Sequence, residues 1–240
     1  MTGRDRGAGG SPAGRGHAGA DVLVVVPAGG TSRRLGGGDK TALDVGGQPL
    51  LHRLLHDLAP WRTVVVADPP PVPLRATLPH VRWCREDPPG AGPLAALAAG
   101  LAAGSVAGPS ARPAAAPTGD ADAAVLVAVA GDQPFAGRAV PALLAARAAA
   151  PHAAAALAAG PDGRPQPLLA AYRVPAVAAV LRGPVADRPV RALWAHLDVV
   201  TVDLPATTVL DVDDADDLAR ARDVAGAVTR DVPGGATDGP

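Results

Sequence analysis

The stretch D21-V-L-V-V-V-P-A-G-G-T-S-R-R-L-G-G-G-D-K40 decides the fold. Its first part, Val22 to Val26, is apolar at every position. A strand wetted on one side alternates apolar with polar, so an unbroken run predicts a strand buried on both faces, as in a parallel sheet. Glycines follow at once. Glycine after such a strand lets the backbone approach a ligand closely and aim successive N–H groups at it, which suits a phosphate. Two similar runs, Thr63 to Val66 and Ala124 to Val129, alternate with helical patterns at Pro49 to Leu58, Pro93 to Leu101 and Val140 to Ala148. This repetition predicts an open α/β sheet of the doubly wound kind. Ligands bind such sheets at the carboxyl ends of the strands, so chemistry is expected just past Val26 and just past Val129.

Composition singles out the end of the opening stretch. Lys40 is the only lysine among 22 Lys and Arg residues, and Glu86 is the only glutamate. With 29 Gly and 27 Pro, this reads as a coding bias that has replaced Lys with Arg and Glu with Asp wherever chemistry allows. An ammonium on a flexible stem can follow a moving phosphate, whereas a guanidinium is built for fixed two-point contact. A surface lysine without a role is the competing reading. The net charge of −1 provides no basic field, so nucleic acid is not an expected partner. Cys84 is alone, which excludes an intramolecular disulfide or a cysteine zinc cluster and fits a reducing cytoplasm.

Apolar stretches are too short for a membrane span or are broken, as Leu143 to Gly160 is by Arg147, Pro151 and His152. A soluble, cytoplasmic protein is expected. Residues 1–20, about 104–121 and 226–240 have the composition of disordered segments. They leave one domain over 21–225, interrupted by the middle segment. His52 and His56 stand at i and i+4 on a Leu-rich helix, but without a third ligand nearby they read as a helix face.

The glycine loop fits neither common phosphate motif. G-x-x-x-x-G-K-[ST] needs glycine where Asp39 stands, and G-x-G-x-x-G needs one where Thr41 stands. What A28-G-G-T-S-R-R-L-G-G-G-D-K-T-A-L43 with G47-Q-P-L-L51 resembles is the signature of the molybdenum cofactor guanylyltransferase family, L-A-G-G-x-S-x-R-M-G-x-D-K-x-L followed by G-x-P-L-L. The resemblance implies a single-domain, Rossmann-like nucleotidyltransferase fold. It implies that Pro27, Ala28, Gly29 and Gly30 wrap the nucleotide through the backbone and that Arg34 and Lys40 grip the triphosphate. Pro27 stands where the family has leucine, which removes one backbone donor.

Three later segments extend the match. A124-V-L-V-A-V-A-G-D-Q-P-F135 carries Asp132 just past a buried strand. A carboxylate there, opposite a phosphate loop, suits Mg²⁺, which takes one or two carboxylates plus phosphate oxygens. The family's D-x-P-[FY] aspartate is the metal ligand, while a helix-capping aspartate is the bland alternative. Phe135, the only phenylalanine, is expected to pack beneath the site. R85-E-D-P-P-G-A-G-P-L-A-A-L97 resembles the family's D-x-x-G-P-L-A-G-I, with two extra residues between acid and glycine if Asp87 is the nucleotide-binding counterpart; Glu86 stays open. V209-L-D-V-D-D-A-D-D-L218 resembles F-x-N-x-N-T-P-E-D-L, with Asp211 and Asp213 in place of asparagines. Asp213 is the better candidate for a second metal ligand. An acid-rich helix N-terminus explains the same run equally well.

G163-R-P-Q-P-L168 matches a stretch on the family's acceptor side, which makes Arg164 and Gln166 candidate contacts to the pterin phosphate; without the resemblance it reads as a polar hairpin turn. The activity implied is transfer of GMP from GTP to molybdenum-molybdopterin, with Mg²⁺ as cofactor and release of pyrophosphate. Proteins that handle molybdopterin are implied as partners. Cytidylyl transfer, another phosphorylated acceptor, or a non-catalytic nucleotide-binding module are the alternatives. The pattern A28-G-G30 with G92-P-L-A95 sides with guanine users.

Overall fold

The computed structural model describes residues 22–29, 39–70, 77–105 and 124–230. Their strands are β1 (Val22–Pro27), β2 (Arg62–Val66), β3 (Val81–Cys84), β4 (Val125–Val129), β5 (Ala155–Ala159), β6 (Pro165–Arg173) and β7 (Val199–Asp203). The helices are α1 (Leu50–Asp57), α2 (Pro93–Ser105), α3 (Val140–Ala149), α4 (Val174–Arg182) and α5 (Ala215–Arg230). The strands form one sheet in the order β3-β2-β1-β4-β6-β5-β7. β6 runs antiparallel to both of its neighbours, and the other pairings are parallel. The protein is thus a single α/β fold built on one mostly parallel sheet among the described residues.

Alternation along β1 explains why its apolar run is unbroken. Val24 and Val26 face the core under α1 and α3, while Leu23 and Val25 face the core under α2 and α4. Both faces are buried, so each strand position must be apolar. From β1 the chain moves outward through β2 to β3, then crosses back to β4 on the other side of β1. β1 and β4 therefore flank the point where strand order reverses, and loops leaving their carboxyl ends diverge to open a crevice.

Two expected boundaries are corrected. α5 runs to Arg230, past the expected tail boundary at 226, because its apolar side, Leu218, Ala221 and Ala225, packs with Val45, Leu50, Phe135 and Val212 in a third core cluster. α2 runs to Ser105, past the expected start of the middle segment at 104, because Gly104 seats against Leu23 of β1. The remainder of the three low-complexity segments lies outside the described residues. The expected polar turn at Gly163 to Leu168 also shifts. The β5–β6 connection occupies 160–164, and Pro165 already belongs to β6.

Candidate active site

A cleft of about 280 Å³ opens at the carboxyl ends of β1 and β4. Its floor is the junction of the two strand ends. The Gly131 N–H donates to the Pro27 carbonyl at 2.9 Å, and a Cβ on Gly131 would lie 2.7 Å from the Ala28 Cβ. Only glycine permits that approach. The Ala28 N–H donates to the Val66 carbonyl at 3.1 Å. Pro27 has no N–H, as its identity requires, and the Ala28 N–H is engaged within the fold, so any N–H donated to a ligand at this turn comes from residues after Ala28. Pro27, Ala28 and Gly29 all line the cleft.

Lys40 enters the cleft from a 3-10 turn, Lys40–Ala42. Asp39 caps that turn: its Oδ1 accepts the Thr41 N–H at 2.9 Å and the Thr41 hydroxyl at 2.5 Å. The ammonium then donates to Asp213 Oδ1 at 2.5 Å and Asp132 Oδ2 at 3.4 Å. The Lys40 side chain is only 13% exposed. Burial alone pulls its pKa down, but the hydrogen bond to Asp213 and the charges of Asp132 and Asp213 outweigh it and hold the ammonium above its ordinary value. Lys40 is thus a permanently protonated cation.

The acidic run 211–217 divides into two parts. Asp214 caps α5, its Oδ1 accepting the N–H groups of Asp216 and Asp217 at 3.0 Å each. Asp217 reaches back, its Oδ2 accepting the N–H groups of Asp213 and Asp214 at 2.9 and 3.1 Å. This reciprocal capping box satisfies the orphan donors of the helix start. Burial opposes the Asp217 charge, but those two backbone hydrogen bonds, with Arg220 beside it, bring its pKa below the usual carboxylate range. Asp213, one residue before the cap, turns the other way, to Lys40. Asp211 keeps an exposed edge, yet desolvation on its packed side, with the charges of Asp213, Asp132 and Asp217, raises its pKa.

The loops carrying the two acids are stitched together. The Val212 N–H donates to the Asp132 carbonyl at 3.0 Å. Gln133, 5% exposed, donates through Nε2 to Gln166 Oε1 at 2.8 Å and to the Val209 carbonyl at 3.3 Å. Beneath them Phe135 is buried beside Val212, with the guanidinium groups of Arg138 and Arg53 5.2 and 5.9 Å from its ring centre. Phe135 therefore packs under the site as expected.

Two carboxylates converging on one positive charge form a donor set that fits Mg²⁺, whose remaining positions are filled by phosphate oxygens and water. The Lys40 ammonium is the cation they converge on here. Among the described residues no group of three or more His, Cys, Asp or Glu side chains could cage a metal. Oxygens from a ligand have to complete the shell.

The sequence profile of the MobA-like NTP transferase domain matches residues 24–201. The chain belongs to the MobA-like NTP transferase family. No curated protein sequence gives a significant match. Among solved structures, this MobA-like chain is similar in fold to molybdopterin-guanine dinucleotide biosynthesis protein A from Archaeoglobus fulgidus, with 22% identity and TM-score 0.61 over 85% of this chain and 99% of that one. Rv0371C from Mycobacterium tuberculosis in complex with manganese is 20% identical, with TM-score 0.55 over 84% and 97% of the two chains. The 4-diphosphocytidyl-2C-methyl-D-erythritol synthase from Anaerococcus prevotii is 11% identical, with TM-score 0.55 over 86% and 99%.

Of the residues expected in the MobA-like site, the fold brings Lys40, Asp132 and Asp213 together, with Ala28 and Gly29 alongside. Gly30 and Arg34 lie outside the described residues. In the β3–α2 loop Glu86 lines the cleft, 3.9 Å from the position of a Cβ on Gly29, and accepts the Gly90 N–H at 3.0 Å. Asp87 is exposed and is not among the lining residues. Gln166 accepts from Gln133, next to Asp132, and is itself not among the lining residues. Arg164 is 88% exposed in the β5–β6 turn, 3.6 Å from Asp162. His52 and His56 do not contribute; His52 Nε2 lies 3.4 Å from the Thr77 hydroxyl oxygen. Sequence reasoning missed Asp39 and Gln133. The first had a visible signal, an Asx cap directly before the lysine; the second had none.

Proposed function

We propose that this member of the family transfers GMP from GTP to molybdenum-molybdopterin, in the cytoplasm and with Mg²⁺, forming the guanine dinucleotide cofactor and releasing pyrophosphate. One observation carries the reading: Lys40, Asp132 and Asp213 meet in a cleft at the strand-order reversal, with a close-approach glycine turn beside them. A permanent cation beside a pair of carboxylates suits phosphoryl-type transfer, and a passive nucleotide binder does not require them. The choice of guanine and of a pterin acceptor is supported by the A28-G-G30 and G92-P-L-A95 pattern and by the likeness to the Archaeoglobus molybdopterin-guanine dinucleotide biosynthesis protein A. The manganese complex of the mycobacterial neighbour supports a divalent cation.

In this reading the acceptor phosphate attacks the α-phosphorus of GTP in line, a new P–O bond forms, and the α–β bridging bond breaks with its electron pair leaving on pyrophosphate. The acceptor is already anionic near neutral pH, so no strong general base is needed. Lys40 neutralises charge that grows on the triphosphate, joined by Arg34 as the resemblance implies. Gly29 lets the backbone approach the nucleotide, and Glu86 walls the side beneath the β3–α2 loop. Asp132 and Asp213 would hold Mg²⁺, which when bound would neutralise and orient the phosphate oxygens. Gln166 and Arg164 face the acceptor.

The test is pyrophosphate release from Mg²⁺, each nucleoside triphosphate and a panel of phosphorylated acceptors. Release with GTP and molybdenum-molybdopterin alone is expected. Release with CTP or with a sugar phosphate would move the assignment to another member of the same chemistry. GTP binding with no turnover under any acceptor would reduce the protein to a nucleotide-binding module.

A further inference from the structure

Lys40 has two possible sets of anionic neighbours, and the fold shows it with only one of them. Its ammonium lies against Asp213 at 2.5 Å and Asp132 at 3.4 Å, on a side chain almost withdrawn from solvent. The acids are fixed from behind. Asp213 is tied through its own N–H to Asp217, and the segment carrying it is tied to the Asp132 carbonyl through the Val212 N–H. Lysine, by contrast, sits on a four-carbon stem whose rotamers reach several positions from one backbone. The backbones carrying the two acids are anchored to the fold, and the long stem of Lys40 gives its ammonium the greater reach.

We propose that Lys40 is the resting occupant of the metal position between Asp132 and Asp213, so that the site takes a divalent cation as its complex with a nucleoside triphosphate and resists the free ion. The proposal rests on the nucleotidyltransferase reading for the identity of the ligand. Its physical basis is charge. A free divalent ion approaching the two acids meets an ammonium already in place, and two cations within a few ångströms repel strongly in a partly desolvated site. For the free ion to bind, Lys40 has to leave both acids with no other anion to receive it. A metal-bound triphosphate brings that anion with it. The lysine then exchanges carboxylate oxygens for phosphate oxygens in the same cleft, and the acids exchange an ammonium for the metal. Every charged group keeps an oppositely charged partner throughout. Metal and nucleotide binding become positively coupled, each favouring the other by the same factor.

The experiment measures manganese binding to the nucleotide-free full-length chain, from the loss of the free-ion paramagnetic resonance signal. Lys40→Met and Lys40→Gln are each expected to bind Mn²⁺ at least tenfold more tightly than the wild type. Adding Asp213→Asn to the Lys40→Met chain should abolish that gain, which assigns it to this position. Equal affinity in the wild type and both lysine variants overturns the proposal, as does a gain that survives Asp213→Asn. Lys40→Gln keeps hydrogen-bonding capacity toward both acids and carries the test if the Met variant does not fold. The titration contains no nucleotide and no acceptor. A chain that binds Mn²⁺ as expected yet never releases pyrophosphate would sink the enzymatic reading and leave the lysine exchange standing.

Discussion

Lys40 shows how little of a residue's role lies in its type and how much in its neighbours. An arginine at the same position would keep the charge, but its planar fork cannot sit between two carboxylates at 2.5 and 3.4 Å and then transfer to a phosphate with the same freedom. Lys40→Arg is expected to lower turnover at least tenfold in a steady-state pyrophosphate assay, since about 1.4 kcal/mol of lost transition-state stabilisation is enough. Near wild-type turnover would remove the lysine from the chemistry. Asp217, four residues past Asp213, has a different task and a different signature. Its pKa lies below the ordinary 3.8, so its contribution to stability is present above that unfolded value and is lost as the pH falls through the lower folded value. Asp217→Asn should cost about 1 kcal/mol near neutral pH, the size of a lost helix cap. In urea titrations the gap to wild type should narrow as the pH is lowered toward about 3. A gap that widens in acid would mean the carboxylate is not the group being stabilised.

At the scale of elements, what the sequence made legible follows from burial on two faces. β1, β2 and β4 announce themselves because Val at successive positions has no other explanation, and Lys40 and Asp132 follow because they close the loops after β1 and β4. β5 was not legible. A155-A-L-A-A159 has the propensity of a helix, yet it is fully buried between β6 and β7, where small side chains fit and tertiary pairing overrides local preference. Glu86 against Asp87 was not decidable either, because a two-residue insertion leaves sequence spacing silent about which acid faces the cleft. The capping box at Asp214 and Asp217 could have been read from the D-x-x-D spacing before an apolar run. α2 offers a prediction at this scale. Gly100 and Gly104 lie one turn apart against β1, and a Cβ would come to 2.3 Å from Val25 Cγ1 and 2.2 Å from Leu23 Cδ2 respectively. Alanine gains about 1 kcal/mol of helix propensity at either site. At Gly100 the obstacle is a stiff β-branched side chain in a closed core, and overpacking costs of about 1–3 kcal/mol prevail. At Gly104 it is the tip of a leucine that can turn aside. Chemical denaturation should find Gly100→Ala destabilised and Gly104→Ala near neutral, and the reverse order would mean that α2 is not held against β1 by that contact.

For the whole molecule, binding at one end of the sheet has to appear as stability of the entire fold. The cleft is built from the ends of β1 and β4, the 3-10 turn at Lys40, the β3–α2 loop and, through Asp213, the start of α5, so a ligand that fills it braces segments distant in sequence. Anything that binds the folded chain alone stabilises it by mass action, about 2.7 kcal/mol at a hundredfold excess over its Kd. For a domain of this size that corresponds to a rise in Tm of roughly 5–10 °C. The metal and the nucleotide should not contribute independently. If Lys40 resists the free ion, Mg²⁺ alone leaves the melting curve nearly unchanged, while Mg²⁺ with GTP raises Tm by more than the separate effects combined. The same scan chooses the base, since CTP at equal concentration should give a smaller rise if the proposed preference for guanine holds. Equal shifts for GTP and CTP would overturn that preference, and a full shift with Mg²⁺ alone would show the acid pair open to the free ion in the folded chain.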